Sequence, residues 1–122
     1  MHLRSSGDFR RVYAYGKRYD GALMSVFIHS NGLGHHRFGV TASRKAVGNA
    51  VERNRSKRLL RETFRLSGAT LSDLKVSYDW VLNAKRYLLK SSTTASLEEF
   101  QSIVARAAVD ERKEQMLVGN LK

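Results

Sequence analysis

Residues 53–65 carry six basic side chains, and a helix sorts them into two coherent faces. At about 100° per residue, Lys57, Arg61, Asn54, Arg65 and Arg58 share an arc of roughly 100°. Leu59, Thr63, Ser56, Leu60 and Phe64 take the opposite side. One face can pack against a sheet while the other stays wet and cationic, with Arg53 and Arg55 at the two borders. The positive charge is oriented, which suits a polyanion.

The formal charge of +11 is unevenly distributed along the chain. Residues 1–65 hold 14 Lys+Arg against 4 Asp+Glu, and residues 66–122 hold 8 against 7. Such a field attracts phosphate and releases counterions on binding, so affinity should fall steeply with salt. The plain alternative is a solvated basic surface. A length of 122 residues with 42% hydrophobic content fits a single domain over residues 1–122. With no cysteine, disulfides, thiolate zinc sites and a cysteine nucleophile are excluded, and a reducing compartment fits. No apolar run approaches the roughly 20 residues of a membrane span, and residues 1–16 lack a signal-peptide core. The expected address is the cytoplasm, with no membrane and no DNA partner.

Ser5 or Ser6 can cap a first helix, with Asp8 in its first turn, Phe9, Val12 and Tyr13 at helical spacing, and Gly16 as the stop. Residues 21–30 alternate, with Ala22, Met24, Val26 and Ile28 on one side and Leu23, Ser25, Phe27 and His29 on the other. Asn31, Gly32, Leu33 and Gly34 are turn residues, and residues 37–42 alternate again, so a hairpin is the simplest expectation. Gly48 and Asn49 precede the basic helix, expected over residues 50–66, and Ser67 and Gly68 end it. Residues 79–84 read as a short buried strand. Ser96 and Glu99 are placed to form a capping box opening the last helix, with Phe100, Ile103, Val104 and Ala107 on its apolar face. Residues 109–122 are expected to be a fraying helix end.

No catalytic constellation emerges. His35 and His36 are neighbours without an acidic residue nearby in sequence to orient either ring. Asp8, Asp20, Glu52 and Glu62 are too dispersed to argue a two-metal site, and Glu62 suits a pair with Arg58 or Arg65 on its own helix. No phosphate-binding GxxxxGK[ST] loop and no GxSxG elbow occurs. Aromatic rings supply a second component for nucleic-acid binding by stacking on unpaired bases. Phe9 and Tyr13 lie one turn apart, and Phe27 projects from the mixed face of its strand between Ser25 and His29. Core packing is the plain alternative for all three, but the polar partners of Phe27 favour a groove. Lys17, Arg18 and Tyr19 follow the first helix and are expected along the same groove.

Three segments together resemble the protein subunit of bacterial ribonuclease P, which matures the 5′ end of transfer RNA. They are Asp8-Phe9-Arg10-Arg11-Val12-Tyr13 with Gly16, Phe38-Gly39-Val40-Thr41-Ala42-Ser43-Arg44-Lys45, and Val51-Glu52-Arg53-Asn54-Arg55-Ser56-Lys57-Arg58-Leu59-Leu60-Arg61-Glu62. The resemblance implies an α+β, two-layer sandwich in the order αβββαβα, a four-stranded sheet with a left-handed crossover. It implies that chemistry belongs to a catalytic RNA with bound Mg²⁺, held mainly by that RNA, so the protein has no catalytic residue or metal site of its own. Ser43, Arg44, Lys45, Arg53, Asn54, Arg55, Lys57, Arg58 and Arg61 are then expected to face the RNA subunit in a 1:1 complex. Phe9, Tyr13, Ser25 and Phe27 match positions lining a cleft for the single-stranded 5′ leader of precursor transfer RNA.

Two departures from the family pattern stand out: Ser25 occupies a position often apolar, and no proline follows Lys85. A ribosomal or general RNA-binding protein shares the charge and the aromatics, and is expected to bind structured RNA without preference for a leader. A self-sufficient nuclease using His35 or His36 is the remaining rival.

Overall fold

The computed structural model describes residues 2, 3 and 5–120. The elements are α1 (Ser6–Tyr15), β1 (Lys17–Asp20), β2 (Met24–Ser30), β3 (Arg37–Thr41), α2 (Arg44–Val47), α3 (Ala50–Leu66), α4 (Gly68–Leu71), β4 (Tyr78–Ala84), a single 3₁₀ turn (Leu88–Lys90) and α5 (Thr93–Asn120). The order of the longer elements is the expected one. The short helices α2 and α4 are additions that periodicity over four residues cannot signal.

The four strands lie in the order β1-β2-β4-β3. β1 pairs antiparallel with β2, β2 antiparallel with β4, and β3 parallel with β4. The hairpin expected between β2 and β3 is therefore not formed. Their tight-turn residues instead open a longer connection in which the Asn31 side chain donates to the His35 carbonyl and to Asp79 on β4. β4 takes the centre because every residue in it but Asn83 is buried, whereas β3 is the edge strand, its outer side bridged only at Phe38 by residues 2 and 3 among the described residues.

Strand alternation divides the core. Val26, Ile28, Trp80, Leu82 and Phe38 face α3 and α5, where they meet Leu60, Phe64, Phe100, Ile103 and Val104. Phe38 stacks on Phe64 at 4.3 Å, and Trp80 meets Phe100 edge-on at 5.6 Å. Burying a side chain of this size contributes about 1.5–3 kcal/mol. Trp80 also donates to His36 Nδ1 at 3.1 Å, as does the Tyr78 amide at 3.0 Å. Burial lowers the His36 pKa, so this ring is a neutral acceptor locked in the core edge and is spent on structure.

α1 lies across part of the opposite face, where Val12 is buried against Val81 and Leu3, with Phe9 and Phe27 alongside. Ser5 caps it through a reciprocal pair with Asp8. A Cβ on Gly39 would fall 2.3 Å from the Phe9 ring, and one on Gly16 would fall 2.3 Å from the Val12 carbonyl oxygen. Bare backbone at these two places lets α1 sit close to the sheet.

α3 spans the predicted residues, capped by Asn49, whose side chain accepts from the Glu52 amide. Its buried residues are Ser56, Leu60, Thr63 and Phe64, four of the five assigned to the apolar face. The proposed capping box of α5 does not exist. Ser92 accepts from the Ala95 amide, while Ser96 is buried against the Thr63 hydroxyl at 2.7 Å. Glu99 reaches away to take the amides of Ala22, Leu23 and Met24. The segment from residue 109 onward belongs to α5. It continues to Asn120, and Glu111 is buried accepting from the Val76 amide and the Tyr78 hydroxyl. Leu121 and Lys122, the end of the segment expected to fray, lie outside the described residues.

Candidate nucleic-acid interface

The sheet face that carries α1 presents side chains in rungs set by strand register. One rung is Arg18, Phe27, Val81 and Gly39, and the next is Asp20, Ser25, Asn83 and Thr41. The first rung is aromatic and capped by a cation: the Arg18 guanidinium lies 5.4 Å from the Phe27 ring centre, within the range of cation–π attraction. Tyr13 meets Phe27 edge-to-face at 4.9 Å and stays 41% exposed. The second rung is polar. Ser25 donates to Asp20 at 2.6 Å, and Thr41 and Tyr13 both donate to Asn83 Oδ1, at 2.5 and 2.8 Å. The Ser25 bond, against the opposing effect of burial and with help from Arg18, holds the Asp20 carboxyl below its ordinary range.

Ser25, Asn83 and Thr41 of this rung floor a groove of about 550 Å³ at the end of the sheet where β3 and β4 finish. Tyr13, Ser25 and Asn83 lie along it together with Ser43, Ala46, Lys57 and Lys85. The two sets of residues that the sequence assigns to leader and to catalytic RNA thus meet: Tyr13 and Ser25 belong to one, Ser43 and Lys57 to the other. Ser43 also caps α2, accepting from the Ala46 amide at 3.1 Å, which turns the exposed Arg44 and Lys45 outward beside the groove. Along α3, Asn54, Arg55, Arg58 and Arg61 are exposed, and Arg53 and Lys57 are half-buried. Arg65 is partly spent on Glu62, its neighbour one turn back.

Other expectations are revised. Phe9 is not a free platform, because its ring packs over Gly39 between helix and sheet. Of the three residues after α1, only Arg18 joins the groove face. Tyr19 is buried on the other side, donating to Asp110, and Lys17 pairs with the same carboxylate. Sequence reasoning missed Thr41, Asn83 and Lys85. The signal was present in β4, where Asn83 is the one uncharged polar residue and shares the phase of Val81 and Asp79.

A second cleft, about 480 Å³, opens at the opposite end of the sheet. It is lined by Asp110, Glu111 and Glu114 with a single cation, Lys17, and so repels a polyanion. Among the described residues no group of three His, Asp or Glu side chains is placed to hold a metal ion. Of these two clefts, the one beside Tyr13 is lined by Lys57 and Lys85 and by no carboxylate.

Comparison with known proteins agrees with this geometry. The family model Ribonuclease P matches residues 1–108. The chain belongs to the ribonuclease P protein family. The ribonuclease P protein component of Caldanaerobacter subterraneus subsp. tengcongensis is 33% identical over 113 residues, covering 93% of this chain and 94% of that protein. That of Clostridium botulinum is 41% identical over 83 residues, covering 68% and 72%. The solved structure of the Staphylococcus aureus RNase P protein superposes with a TM-score of 0.73 at 25% identity, covering 87% of this chain and 94% of that one.

Membership in the ribonuclease P family makes this chain the RNA-binding subunit of a ribonucleoprotein endoribonuclease that processes the 5′ end of transfer RNA, partnered by ribonuclease P RNA. A general RNA-binding role is not favoured. Among the described residues, no helix is long and apolar enough to cross a membrane.

Proposed function

We propose that α3, with Arg44 and Lys45, docks on the catalytic RNA while the groove beside Tyr13, Ser25 and Phe27 holds the precursor's 5′ leader in extended form. One protein serves one RNA, in the cytoplasm. The observation that carries this reading is the shared groove: Tyr13, in edge-to-face contact with Phe27, lines the same groove as Lys57 of the basic helix. A strand threaded there would lie against both protein and RNA subunit, so the scissile phosphate is positioned by two surfaces at once. Phosphate contacts supply affinity and register, and the rings supply sequence-tolerant stacking.

Mg²⁺ belongs to the RNA in this scheme. The protein's cations neutralise phosphate repulsion within the complex, which lowers the Mg²⁺ concentration the RNA requires. Precursor cleavage by purified RNA subunit at low Mg²⁺ should rise when this protein is added, and absence of stimulation would refute the scheme. Tyr13→Ala should weaken precursor affinity by about 1–3 kcal/mol, the usual worth of one stacked base, while assembly with the RNA subunit is unchanged. Equal defects in both measurements would contradict the separation of roles.

A further inference from the structure

Asn83 is half-buried in the floor of the groove, and its carboxamide is used asymmetrically. Oδ1 accepts from the Tyr13 hydroxyl at 2.8 Å and from Thr41 Oγ1 at 2.5 Å, which occupies both lone pairs of a carbonyl oxygen. Nδ2 has no hydrogen-bond partner within the protein among the described residues. Toward the groove Asn83 is therefore a pair of donors with no acceptor. The flanking Lys57 and Lys85 likewise only donate.

We propose that Asn83 is a specificity-determining residue that selects guanine over adenine at one position of the leader. The proposal rests on the leader reading given above. A free asparagine recognises adenine by donating to N7 while accepting from the N6 amino group. With Oδ1 held by two hydroxyls, the accepting half of that pairing is closed. Guanine presents two adjacent acceptors, N7 and O6, to which a two-donor group can bond. Tyr13 is exposed immediately beside Asn83, so a base stacked on its ring brings an edge to the amide. Thr41 and Tyr13 act as positioning residues that set which half of the amide is offered.

The test uses holoenzyme reconstituted from this protein and the RNA subunit. Dissociation constants are measured for precursors carrying guanine or adenine at each leader position in turn, with a leaderless transfer RNA as reference. At one position guanine should bind about tenfold tighter, the scale of one discriminating base contact. N83V should bring the two purines to within about twofold of one another by removing both donors. The near-isosteric T41V frees one lone pair of Oδ1 and should narrow the gap by strengthening adenine binding. Thermal melting of each variant alone reports its fold.

The assignment is overturned if no position prefers guanine, if the preference survives N83V, or if T41V leaves the gap unchanged. Leaderless and leader-bearing substrates binding equally would instead remove the leader reading itself. A leader that tightens binding without any purine preference removes only the role of Asn83.

Discussion

Replacing Arg55, Arg58 and Arg61 together by alanine is expected to lower affinity for the ribonuclease P RNA about 100-fold at physiological salt. The estimate takes each arginine as one phosphate contact, which contributes a little under one unit to the slope of log affinity against log salt. All three side chains are exposed on α3, and, unlike Arg65, none is engaged by a carboxylate among the described residues. Their removal leaves the buried face untouched, so stability should move by less than about 0.5 kcal/mol per site. Equilibrium binding across a salt series gives both quantities. The slope should fall by about three units in the variant. An unchanged slope would place the docking surface elsewhere.

Asp79→Ala carries the largest expected cost to folding, about 3–5 kcal/mol. The Asp79 side chain is 2% exposed, and it accepts from Arg37 Nε at 2.8 Å, Arg37 Nη2 at 2.6 Å and Asn31 at 2.9 Å. Arg37 also lies 3.7 Å from Asp8 in the first turn of α1. The pair therefore ties the central strand to the edge strand and to the helix that carries Tyr13. Removing the carboxylate leaves a largely buried guanidinium without its main partner.

The acid behaviour follows with a definite sign. Burial pushes the Asp79 carboxyl up, but the bonds from Arg37 and Asn31 outweigh it and hold the pKa below its ordinary 3.8. Stability from this group is fully present above that ordinary value and is lost as pH falls through the lower folded value. His36 acts earlier, since its pKa is lowered from 6.5 and the unfolded chain takes up the proton first as pH drops. Urea unfolding from pH 7 downward should thus show a first decline below about 6.5 and a second below about 4. The second decline should shrink in D79A, and its persistence would assign the acid step to other carboxylates.

Local pattern was sufficient for α1, β2, α3 and β4, because each has a clear period and a recognisable cap or boundary. It failed where partners are remote. Nothing in residues 21–42 says that β2 and β3 are separated by β4, and the hairpin expectation treated nearness in sequence as pairing. Ser96 and Glu99 have capping-box spacing, yet Thr63 and the amides of residues 22–24 claim them from other elements. The resemblance supplied the number of strands and the order of elements along the chain, but which strands are neighbours came only with the sheet. In the groove, Tyr13, Ser25, Ser43 and Lys57 were legible from motif and alternation, as was Phe27 on the adjoining rung. Asn83 left only its polarity and phase as a signal, and Thr41 left none, because their importance lies in register across β4, a relation that exists only once the sheet has formed. Phe9 went the other way, since only the close approach at Gly39 explains its place.

Glu99 holds the turn after β1, while Asp110, three turns further along α5, holds Lys17 and Tyr19 within it. An edge strand of four residues would ordinarily fray independently and exchange its amide protons quickly. Here β1 is splinted at both ends by the last helix, so freeing it requires α5 to lift. Its amides should exchange at the rate of α5 detachment, making the first strand and the last helix one cooperative opening unit.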